Sequence, residues 1–356
     1  MRREIAPIVV VGGSGFIGSN LADSYLRDGE EVIILDNLSR PGVDKNLRWL
    51  KGNHGDRVHP VLADIRDLGA IEPVFSDAKA VFHLAAQTAV TTSLLHPIHD
   101  FETNARGTLN VLEAVRKAGG KAPLVFASTN KVYGGIDEIA MAEFDDRYIP
   151  TDEVLRAHGF GEERKLDFCT PYGCSKGVAD QYVLDYAKSY GMATAALRMS
   201  CIYGPRQFGT EDQGWVAHFL ICALRGDRIS IYGDGKQVRD ILHVKDAVAA
   251  YRALLRSIDD VKGKAFNLGG GPQNAVSIRI ALREIEQMTA RPIETVNADW
   301  RAGDQLYFVA DTRALQQAVG WKPEITWREG IRDLRDWLVE NRFAAARIRQ
   351  PRRATA

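Results

Sequence analysis

The chain begins with a buried strand that runs directly into a glycine-rich turn, and this junction restricts the possible folds more than any other feature. Ile8-Val9-Val10-Val11 is a β-branched run without polar alternation, which is typical of a parallel strand buried on both faces. It leads into Gly12-Gly13-Ser14-Gly15-Phe16-Ile17-Gly18, and a helical stretch follows to about Asp28. A second apolar run, Glu31 to Leu35, ends at Asp36. Strand, glycines, helix, strand and acid in this order predict a βαβ unit that binds a dinucleotide.

Asp36 bears on the choice of cofactor. A carboxylate at the end of the second strand accepts hydrogen bonds from a ribose 2′-hydroxyl and repels a 2′-phosphate, so NAD is favoured over NADP. Arg40, four residues further along the chain, favours NADP instead, because an arginine near this position can accommodate the 2′-phosphate. Its alternative role is that of a solvated loop arginine. The sequence therefore predicts NAD as the cofactor.

Further buried strands alternate with helical stretches along the first part of the chain. They are predicted at Val58–Leu62, Ala80–Leu84, Leu124–Ala127 and Thr194–Leu197. This alternation predicts an α/β fold, a doubly wound parallel (Rossmann) sheet with ligands at the carboxyl ends of its strands. Polar side chains stand at those ends: Asp36, Asp64, Ser128 and Thr129.

The second half of the chain has a mixed pattern with many turn signals, among them Tyr232-Gly233-Asp234-Gly235 and Gly269-Gly270-Gly271-Pro272. We interpret it as a smaller, mixed α/β C-terminal substrate lobe, interleaved with the last strands of the sheet. The predicted division is an NAD-binding domain of residues 1–198 plus roughly 236–268, a substrate-binding lobe of roughly 199–235 and 269–340, and a frayed basic tail of 341–356.

A tyrosine and a lysine lie four residues apart in Thr170-Pro171-Tyr172-Gly173-Cys174-Ser175-Lys176. Thr170 is a good N-cap and Pro171 fits the first helical position, so a helix is predicted to begin here. Its period places Tyr172 and Lys176 on one face, close enough for phenol and ammonium to interact. A free tyrosine has a pKa near ~10, and one cation within ~4–6 Å lowers it by about 1–3 units. An oxidised nicotinamide ring would supply a second positive charge, so the pair predicts a tyrosine base beside NAD⁺.

The composition excludes several other classes of function. The 46 basic residues balance the 46 acidic ones, so nothing indicates a nucleic-acid or membrane surface. The segment from Met1 to Pro7 is short and polar, no apolar run approaches membrane-spanning length, and we expect a cytoplasmic protein. The eight histidines show no ligand pattern, and no metal site is assigned. The four cysteines lack metal-type spacing: Cys169, Cys174, Cys201 and Cys222.

These motifs together resemble the extended short-chain dehydrogenases/reductases, specifically the nucleotide-sugar epimerases and dehydratases, to about Glu340. In that family a Ser or Thr at the end of the fifth strand assists the tyrosine, and in Ser128-Thr129-Asn130-Lys131-Val132-Tyr133-Gly134 that position is held by Thr129. The resemblance implies Thr129, Tyr172 and Lys176 as catalytic residues. It also implies that Lys176 binds the nicotinamide ribose.

The glycine loop, the strand ends and the resemblance together indicate a set of cofactor-binding residues. They are Gly12, Gly15, Phe16, Ile17, Gly18, Asp36, Asn37, Ser39, Arg40, Asp64, Ile65, Leu84, Ala85, Ala86, Asn104, Ser128, Tyr172, Lys176 and Ser200.

The segment after the fifth strand also separates the reactions of this family. The sugar 4,6-dehydratases resemble one another in carrying Asp-Glu where this chain has Asn130-Lys131. Eliminating water requires a general acid and a general base, and an amide and an ammonium are poor substitutes. The resemblance then implies an isomerase, an epimerase that oxidises a carbinol and reduces it on the other face. NAD serves as its resident, recycled hydride store.

Within the family, the chain is most similar to the 2-epimerases of CDP-sugars, which implies inversion at carbon 2. The insert from Ile136 to Phe168 fits that group, whereas Cys201 replaces a small polar residue of it. The segments that carry this similarity are Asp36-Asn37-Leu38-Ser39-Arg40, the segment around Thr129, Pro171-Tyr172-Gly173-Cys174-Ser175-Lys176-Gly177, Asp212-Gln213-Gly214-Trp215-Val216 and Gly235-Lys236-Gln237-Val238-Arg239-Asp240.

The implied partner is a nucleotide-diphosphate sugar, with a CDP-sugar favoured, and its charge calls for arginine forks. Arg206, Arg239 and Arg301 are the candidates, with Arg239 favoured, and the alternative role of each is a surface ion pair. Lys131 either points into the sugar site or lies exposed on a loop. The full set of candidate substrate-binding residues is Thr129, Lys131, Cys201, Arg206, Gln213, Arg239 and Arg301.

Other functions remain open at this point. One alternative is a UDP-hexose 4-epimerase, and another is a nucleotide-sugar dehydrogenase or reductase that releases NADH at each turnover. The third is a non-catalytic NAD-binding regulator, since a fold alone does not establish activity. The resemblance also implies a homo-oligomer, either a dimer or a tetramer.

Overall fold

The computed structural model describes residues 6–301 and 303–341. Within these ranges the chain forms fifteen strands: β1 Ile8–Val11, β2 Val32–Asp36, β3 Val58–Leu62, β4 Ala80–His83, β5 Leu124–Thr129, β6 Met141–Phe144, β7 Arg147–Pro150, β8 Thr194–Met199, β9 Cys201–Tyr203, β10 Ile229–Tyr232, β11 Val238–His243, β12 Ala265–Leu268, β13 Ala275–Ser277, β14 Thr295–Ala298 and β15 Tyr307–Phe308.

The same residues form fourteen α-helices, three of them of only four or five residues. They are α1 Phe16–Arg27, α2 Val43–His54, α3 Leu68–Ile71, α4 Val90–Leu95, α5 Pro97–Phe101, α6 Gly107–Lys117, α7 Glu153–His158, α8 Thr170–Tyr190, α9 Trp215–Arg225, α10 Val244–Arg256, α11 Ile258–Val261, α12 Ile278–Thr289, α13 Arg313–Val319 and α14 Trp327–Glu340. A π-helical turn, Glu102–Arg106, joins α5 to α6.

Seven parallel strands form the central sheet, in the order β12-β8-β5-β4-β1-β2-β3. The apolar run of β1 is wholly buried because it pairs on both edges, with Val10 opposite Ile34 of β2 and Phe82 of β4. Strand order reverses between β1 and β4, and in open α/β sheets such a switch point leaves a crevice beyond the carboxyl ends of the strands. The predicted doubly wound parallel sheet is confirmed. The predicted strands β1 to β5 and β8 are all present, β1 and β3 with the predicted ends and the others with ends that differ by one or two residues.

A smaller set of strands builds the second part of the molecule. Strand β11 pairs with β9 and β15 in parallel and with β13 in antiparallel orientation, and β10 pairs with β14. Strand β11 lies in the range 236–268, which the sequence assigned to the NAD-binding domain. Of the strands in that range, however, only β12 joins the large sheet. The remaining domain boundaries stay predictions, and the basic tail lies outside the described residues apart from Asn341.

The insert between β5 and α8 contacts both the smaller part and β12 of the central sheet, where the carbonyl oxygen of Phe160 accepts Asn267 Nδ2 at 2.8 Å. Its hairpin pairs β6 with β7, and the hydroxyl of Tyr148 donates to Asp234 at 2.6 Å. Phe160 bridges to Ala310 and stacks on Phe308 with ring centroids 5.4 Å apart. The insert therefore joins the two parts of the molecule. No helix within the described ranges is both long and apolar enough to cross a membrane.

Candidate active site

A cavity of about 450 Å³ lies at the carboxyl ends of the central strands, where strand order reverses. Its lining comes from the strand ends of the central sheet and the residues that follow them, from Tyr172, and from residues 200–203, 207 and 212–216. Most of the site residues predicted from the sequence meet here: Gly12, Gly15, Phe16, Ile17, Gly18, Asp36, Asn37, Ser39, Arg40, Asp64, Ile65, Leu84, Ala85, Ala86, Ser128, Thr129, Lys131, Tyr172, Ser200, Cys201 and Gln213.

The glycine loop fits the diphosphate of a dinucleotide. Gly12 has φ +80°, and a Cβ there would lie 2.6 Å from the backbone nitrogen of Ala85. A Cβ on Gly18 would lie 2.2 Å from the carbonyl oxygen of Gly12, so the loop and α1 pack too closely for any side chain. No side chain caps the first turn of α1, whose N-cap is Gly15. Its N–H groups and the positive end of the helix dipole therefore face the cavity, as anion binding requires.

Two carboxylates stand at the neighbouring strand ends. Asp36 lines the cavity and accepts the backbone N–H groups of Ser14 at 3.0 Å and Leu38 at 2.9 Å, and burial raises its pKa. Asp64 accepts the Nδ2 group of Asn37, and the Arg66 guanidinium holds its pKa well below the usual range. The backbone thus fixes Asp36 in place for a ribose diol.

Arg40 reaches across the mouth of this cavity. Its Nη1 donates to Thr88 Oγ1 at 3.3 Å, and both residues line the cavity. None of the ion pairs formed by the described residues includes Arg40. A guanidinium without an ion-pair partner among the described residues adds a second group that favours an anion in this cavity.

The two catalytic hydroxyl candidates come from different elements. Thr129 ends β5, and Tyr172 stands in the first turn of α8, buried and facing the cavity. The helix begins at Thr170 rather than at Pro171, and its N-cap is Cys169, so the predicted N-cap is off by one residue. Thr170 has φ +66°, yet its Oγ1 accepts the N–H of Gly173 at 3.3 Å, which is the capping bond that the sequence predicts.

Burial dominates the electrostatics of the tyrosine and lysine pair. It raises the pKa of Tyr172 to about 12, although a hydrogen bond with Thr129 opposes the shift. It lowers the pKa of Lys176 to about 7. The ammonium of Lys176 donates to the carbonyl oxygen of Ala127 at 2.6 Å and lies 4.1 Å from the Phe126 ring centroid. Lys176 alone therefore does not hold the phenol ionised, and a second positive charge is needed.

A buried ion pair fixes α8 against the strand ends. Asp180 accepts Nε and Nη2 of Arg198 on β8 at 3.1 and 2.9 Å, and it also accepts the Ser128 hydroxyl at 2.6 Å. The side chains are 0% and 6% exposed, respectively. Arg198 further donates to Tyr133, whose hydroxyl donates to Asn267 at 2.8 Å. This network sets the position of Thr129, next to Ser128, relative to the helix that carries Tyr172.

Lys131 and Cys201 lie at the end of the cavity near Tyr172. Lys131 is not exposed on a loop, since its Nζ donates to the carbonyl oxygen of Gly303 at 2.9 Å, and burial lowers its pKa to about 8. Burial also raises the pKa of the Cys201 thiol. Asn130 is buried beside them and carries no acid. These three side chains are thus polar, and none of them is a carboxylate.

Three predicted arginines do not line the cavity. The guanidinium of Arg206 lies 3.6 Å from the ring centroid of Trp49, and its backbone has φ +75°. Arg239 pairs with Asp304 at 2.6 Å. Arg301 donates to the carbonyl oxygen of Glu211 at 2.9 Å and stacks on Tyr232. Arg206 thus faces an aromatic ring, and the substrate-binding roles of all three arginines stay predictions.

Asn104 and Lys176 are buried behind the residues that line the cavity and do not line it themselves. Asn104, in the π-helical turn, exchanges hydrogen bonds with the backbone of Gln87 and donates to Ser175 Oγ at 3.1 Å. Its amide is fully used inside the protein, so it shapes the site from behind. The predicted contacts of Asn104 and Lys176 with the cofactor remain predictions.

The sequence analysis missed several lining residues. Thr88 follows β4 by five residues, and its strand-end position was a usable signal. Gln207 comes from an irregular stretch whose fold no sequence period reveals, whereas Asp212 and Trp215 belong to a segment that the resemblance singled out without giving them a role. In the part of the chain that the structure describes, no group of three or more His, Cys, Asp or Glu side chains is arranged to hold a metal ion.

Comparison with known proteins agrees with this geometry. The model of the family described as "NAD dependent epimerase/dehydratase family" matches residues 8–269. The CDP-paratose 2-epimerase of Salmonella typhi is 40% identical over 93% of this chain and 98% of that protein. The structure of UDP-glucose 4-epimerase from Thermus thermophilus in complex with NAD is 31% identical, with a TM-score of 0.78 over 96% of this chain and 100% of that chain. A dTDP-glucose 4,6-dehydratase from Streptomyces venezuelae, with NAD bound, is 26% identical, with a TM-score of 0.81 over 94% of this chain and 98% of that chain.

These matches test three of the predictions. The family description specifies NAD, which confirms the predicted cofactor. Relatives named as epimerases, which are isomerases, confirm the predicted enzyme class. The resemblance to the extended short-chain dehydrogenases/reductases is confirmed as well. Because the family model spans the whole central sheet and a named epimerase matches nearly the full length of both proteins, the chain belongs to the NAD dependent epimerase/dehydratase family.

Proposed function

We propose that this protein epimerises carbon 2 of CDP-paratose to give CDP-tyvelose, with NAD as a resident cofactor. The observation that carries the proposal is one cavity that joins the glycine loop to Thr129 and Tyr172. The similarity to the CDP-paratose 2-epimerase of Salmonella typhi supports the choice of sugar. The homo-oligomer that the resemblance implies stays a prediction.

The carboxylates of the cavity favour epimerisation over elimination. Among the described lining residues these are Asp36 and Asp64, at the ends of β2 and β3, and Asp212, on the opposite wall. The residues that follow Thr129 are Asn130 and Lys131, and neither replaces the acid and base pair that loss of water requires. The chain therefore carries what a redox epimerase needs at Tyr172 and lacks what a dehydratase needs beside it.

In the proposed reaction the residues have separate tasks. Thr129 hydrogen-bonds the oxygen of the reacting hydroxyl, and Tyr172 takes its proton and later returns it. The glycine loop and Asp36 would hold NAD⁺, which would supply reversible hydride transfer at that carbon. Lys131, held by the carbonyl of Gly303, orients the sugar. Arg239 and Arg301 supply fixed positive charge for the nucleotide diphosphate.

Turnover in heavy water tests this function. We expect purified protein to convert CDP-paratose to CDP-tyvelose without added NAD, with no deuterium at carbon 2 and no net NADH, because hydride returns from a cofactor that never leaves. The product is analysed by NMR and mass spectrometry, with UDP-glucose as the comparison substrate and a reaction without protein as the blank.

Each other result would contradict a defined part of the proposal. Deuterium at carbon 2 would indicate inversion through a carbanion rather than through hydride return. Accumulating NADH would indicate a dehydrogenase, and deuterium at a neighbouring carbon would indicate elimination. Inversion of UDP-glucose at carbon 4 in place of CDP-paratose would leave the mechanism intact and overturn the substrate.

Replacing Arg40 with alanine is expected to weaken retention of NAD by about tenfold or more, since a hydrogen bond to a charged group contributes roughly 1.5–3 kcal/mol. Bound cofactor is measured from the absorbance ratio at 260 and 280 nm after desalting. Arg48→Ala is the matched control, because Arg48 is an exposed arginine of α2 that pairs with Asp44. If Arg40→Ala weakened the binding of NADP but not of NAD, Arg40 would instead recognise a 2′-phosphate.

A further inference from the structure

A fully buried carboxylate, Asp240 of β11, lies behind the lining of the cavity, and the chemistry proposed above gives it no role. Strand β9 pairs in parallel with β11, with Cys201 opposite Ile241, so the residues before them, Ser200 and Asp240, also meet. Ser200 lines the cavity. Its hydroxyl lies within hydrogen-bonding distance of Asp240 Oδ1 and 3.0 Å from the carbonyl oxygen of Asp240. One buried acid therefore offers two acceptors to the hydroxyl of a lining serine.

The run Gly269-Gly270-Gly271 packs against this carboxylate. A Cβ on Gly269 would lie 2.0 Å from Asp240 Oδ2, so no side chain fits at that position. Gly271 has φ +67°, and its N–H donates to the same Oδ2 atom at 3.1 Å. The backbone of the glycine run thus occupies Oδ2 and leaves Oδ1 for the serine.

The hydroxyl of Ser200 is an acceptor toward the cavity in both protonation states of Asp240. Burial raises the pKa of Asp240 to about 7, so both states occur near neutral pH. The ionised carboxylate accepts the serine proton at Oδ1. The protonated carboxyl carries its own proton on Oδ1, because the N–H of Gly271 occupies Oδ2, and the serine proton then goes to the carbonyl oxygen of Asp240. In either state the serine keeps a lone pair, and no proton, for the cavity.

The place of Ser200 in the sheet determines which donor this lone pair meets. Thr129 of β5 pairs with Met199 of β8, so Ser200 follows next to the strand end that carries the hydroxyl for the reacting oxygen. In the proposed reaction the oxidised sugar presents both faces in turn, and its hydroxyl groups move with it. The group that takes and returns the hydride has to stay in place. A fixed acceptor therefore suits the carboxamide NH₂ of that group better than it suits the sugar.

We propose that Ser200 accepts a hydrogen bond from the carboxamide NH₂ of the nicotinamide, and that Asp240 is the positioning residue that keeps the serine an acceptor. The resemblance implies only that Ser200 contacts the cofactor. The direction of its hydrogen bond and the role of Asp240 come from the contacts described above. This inference rests on the proposed function, in which NAD stays bound between two hydride transfers.

A competition between two dinucleotides tests the contact. In 3-acetylpyridine adenine dinucleotide a methyl group replaces the NH₂ of the carboxamide, so this analogue lacks the donor. The holoenzyme is incubated with an equimolar excess of NAD and the analogue until the bound ratio is constant, and the bound dinucleotides are measured by mass spectrometry after desalting. We expect the ratio of bound NAD to bound analogue to fall about fivefold in Ser200→Ala, the effect of one neutral hydrogen bond.

Substitutions of Asp240 test its positioning role. Asp240→Asn should keep the wild-type ratio within about twofold, because its amide oxygen accepts the N–H of Gly271 while its NH₂ donates to Ser200, as the protonated carboxyl does. Asp240→Ala leaves the serine proton free to turn to the cavity, so the ratio should fall as it does in Ser200→Ala. Asp240→Val replaces Asp240→Ala if circular dichroism shows that the latter is unfolded.

Ser189→Ala is the matched control, since Ser189 donates to Asp185 at 3.0 Å on the exposed surface of α8, and it should keep the wild-type ratio. NMR of the holoenzyme loaded with NAD carrying a ¹⁵N-labelled carboxamide gives a second readout. The NH₂ proton that Ser200 accepts should move upfield in Ser200→Ala and stay in place in Asp240→Asn.

The opposite results would overturn the proposal in defined ways. If Ser200→Ala left the ratio unchanged and weakened the binding of CDP-paratose instead, the donor would be a sugar hydroxyl. If the ratio fell equally in Asp240→Asn and Asp240→Ala, the charge of Asp240 would matter rather than the direction of the serine hydrogen bond.

The competition needs no sugar, so it separates this inference from the proposed function. A ratio that falls in Ser200→Ala of an enzyme that does not epimerise CDP-paratose would support the carboxamide contact and reject the substrate. An active CDP-paratose 2-epimerase in which Ser200→Ala leaves the ratio unchanged would do the reverse.

Discussion

Replacing Tyr172 with phenylalanine is expected to lower kcat by about 10²–10⁴-fold, the usual contribution of a positioned acid or base. The side chain is buried and faces the cavity, and phenylalanine fills the same volume, so the loss is that of one hydroxyl. Bound NAD should be retained, because the glycine loop and Asp36, which are predicted to hold it, are unchanged in the variant. Both quantities are measured on the same preparation, by turnover of CDP-paratose and by absorbance at 260 nm.

Tyr182→Phe is the matched control for this experiment. Tyr182 belongs to the same helix but is 42% exposed, and its loss should leave kcat and cofactor content at wild-type levels. A Tyr172→Phe variant that retained activity within tenfold would mean that another group transfers the proton, with Thr129 the nearest alternative.

Replacing Arg198 with methionine is expected to lower the free energy of unfolding by about 3–5 kcal/mol, the cost of leaving a buried charge without its partner. Asp180 is 0% exposed and would retain only the hydroxyl of Ser128 and the amide of its neighbour Gln181 as donors. The urea dependence of circular dichroism measures the effect. Because the network also positions Ser128, kcat of the folded variant should fall as well.

The surface pair of Arg228 and Glu294 serves as the control. Both side chains are at least 60% exposed, and such pairs contribute roughly 0–1 kcal/mol. Arg228→Met should therefore change unfolding only slightly. Equal, small losses in the two variants would show that the buried pair does not hold α8 against the sheet.

The parts of the fold that depend on local sequence could be predicted. Gly12 and Gly18 are required by backbone contacts within one strand–turn–helix unit, and the apolar run Ile8–Val11 has no alternative to burial on both faces. Thr129, Tyr172 and Asp36 follow from their positions at strand and helix ends. For the same reason the parallel sheet and the place of the cavity were accessible without coordinates.

The parts that depend on long-range packing could not be predicted. Arg206 is drawn to Trp49, a residue of a distant helix, and no local pattern reveals that contact. The burial that raises the pKa of Tyr172 and lowers that of Lys176 comes from several elements at once. In the sequence Asp100 is one more polar residue of a helix. Only the folded structure brings Gln87 and Ser175 within hydrogen-bonding distance of it.

The order of strands in the central sheet has a consequence for biosynthesis. The adjacent strands β3, β2, β1, β4 and β5 are all translated before β8 and β12, which extend the sheet beyond β5. Until residues 194–199 emerge, β5 presents an unpaired edge, and such edges in slowly formed parallel sheets are prone to aggregation. The arrival of β8 covers that edge and brings Arg198 to Asp180 in the same step. Covering the edge of β5 and forming the ion pair that holds α8 are thus a single folding step, after which the open edge is that of β8 until β12 pairs with it.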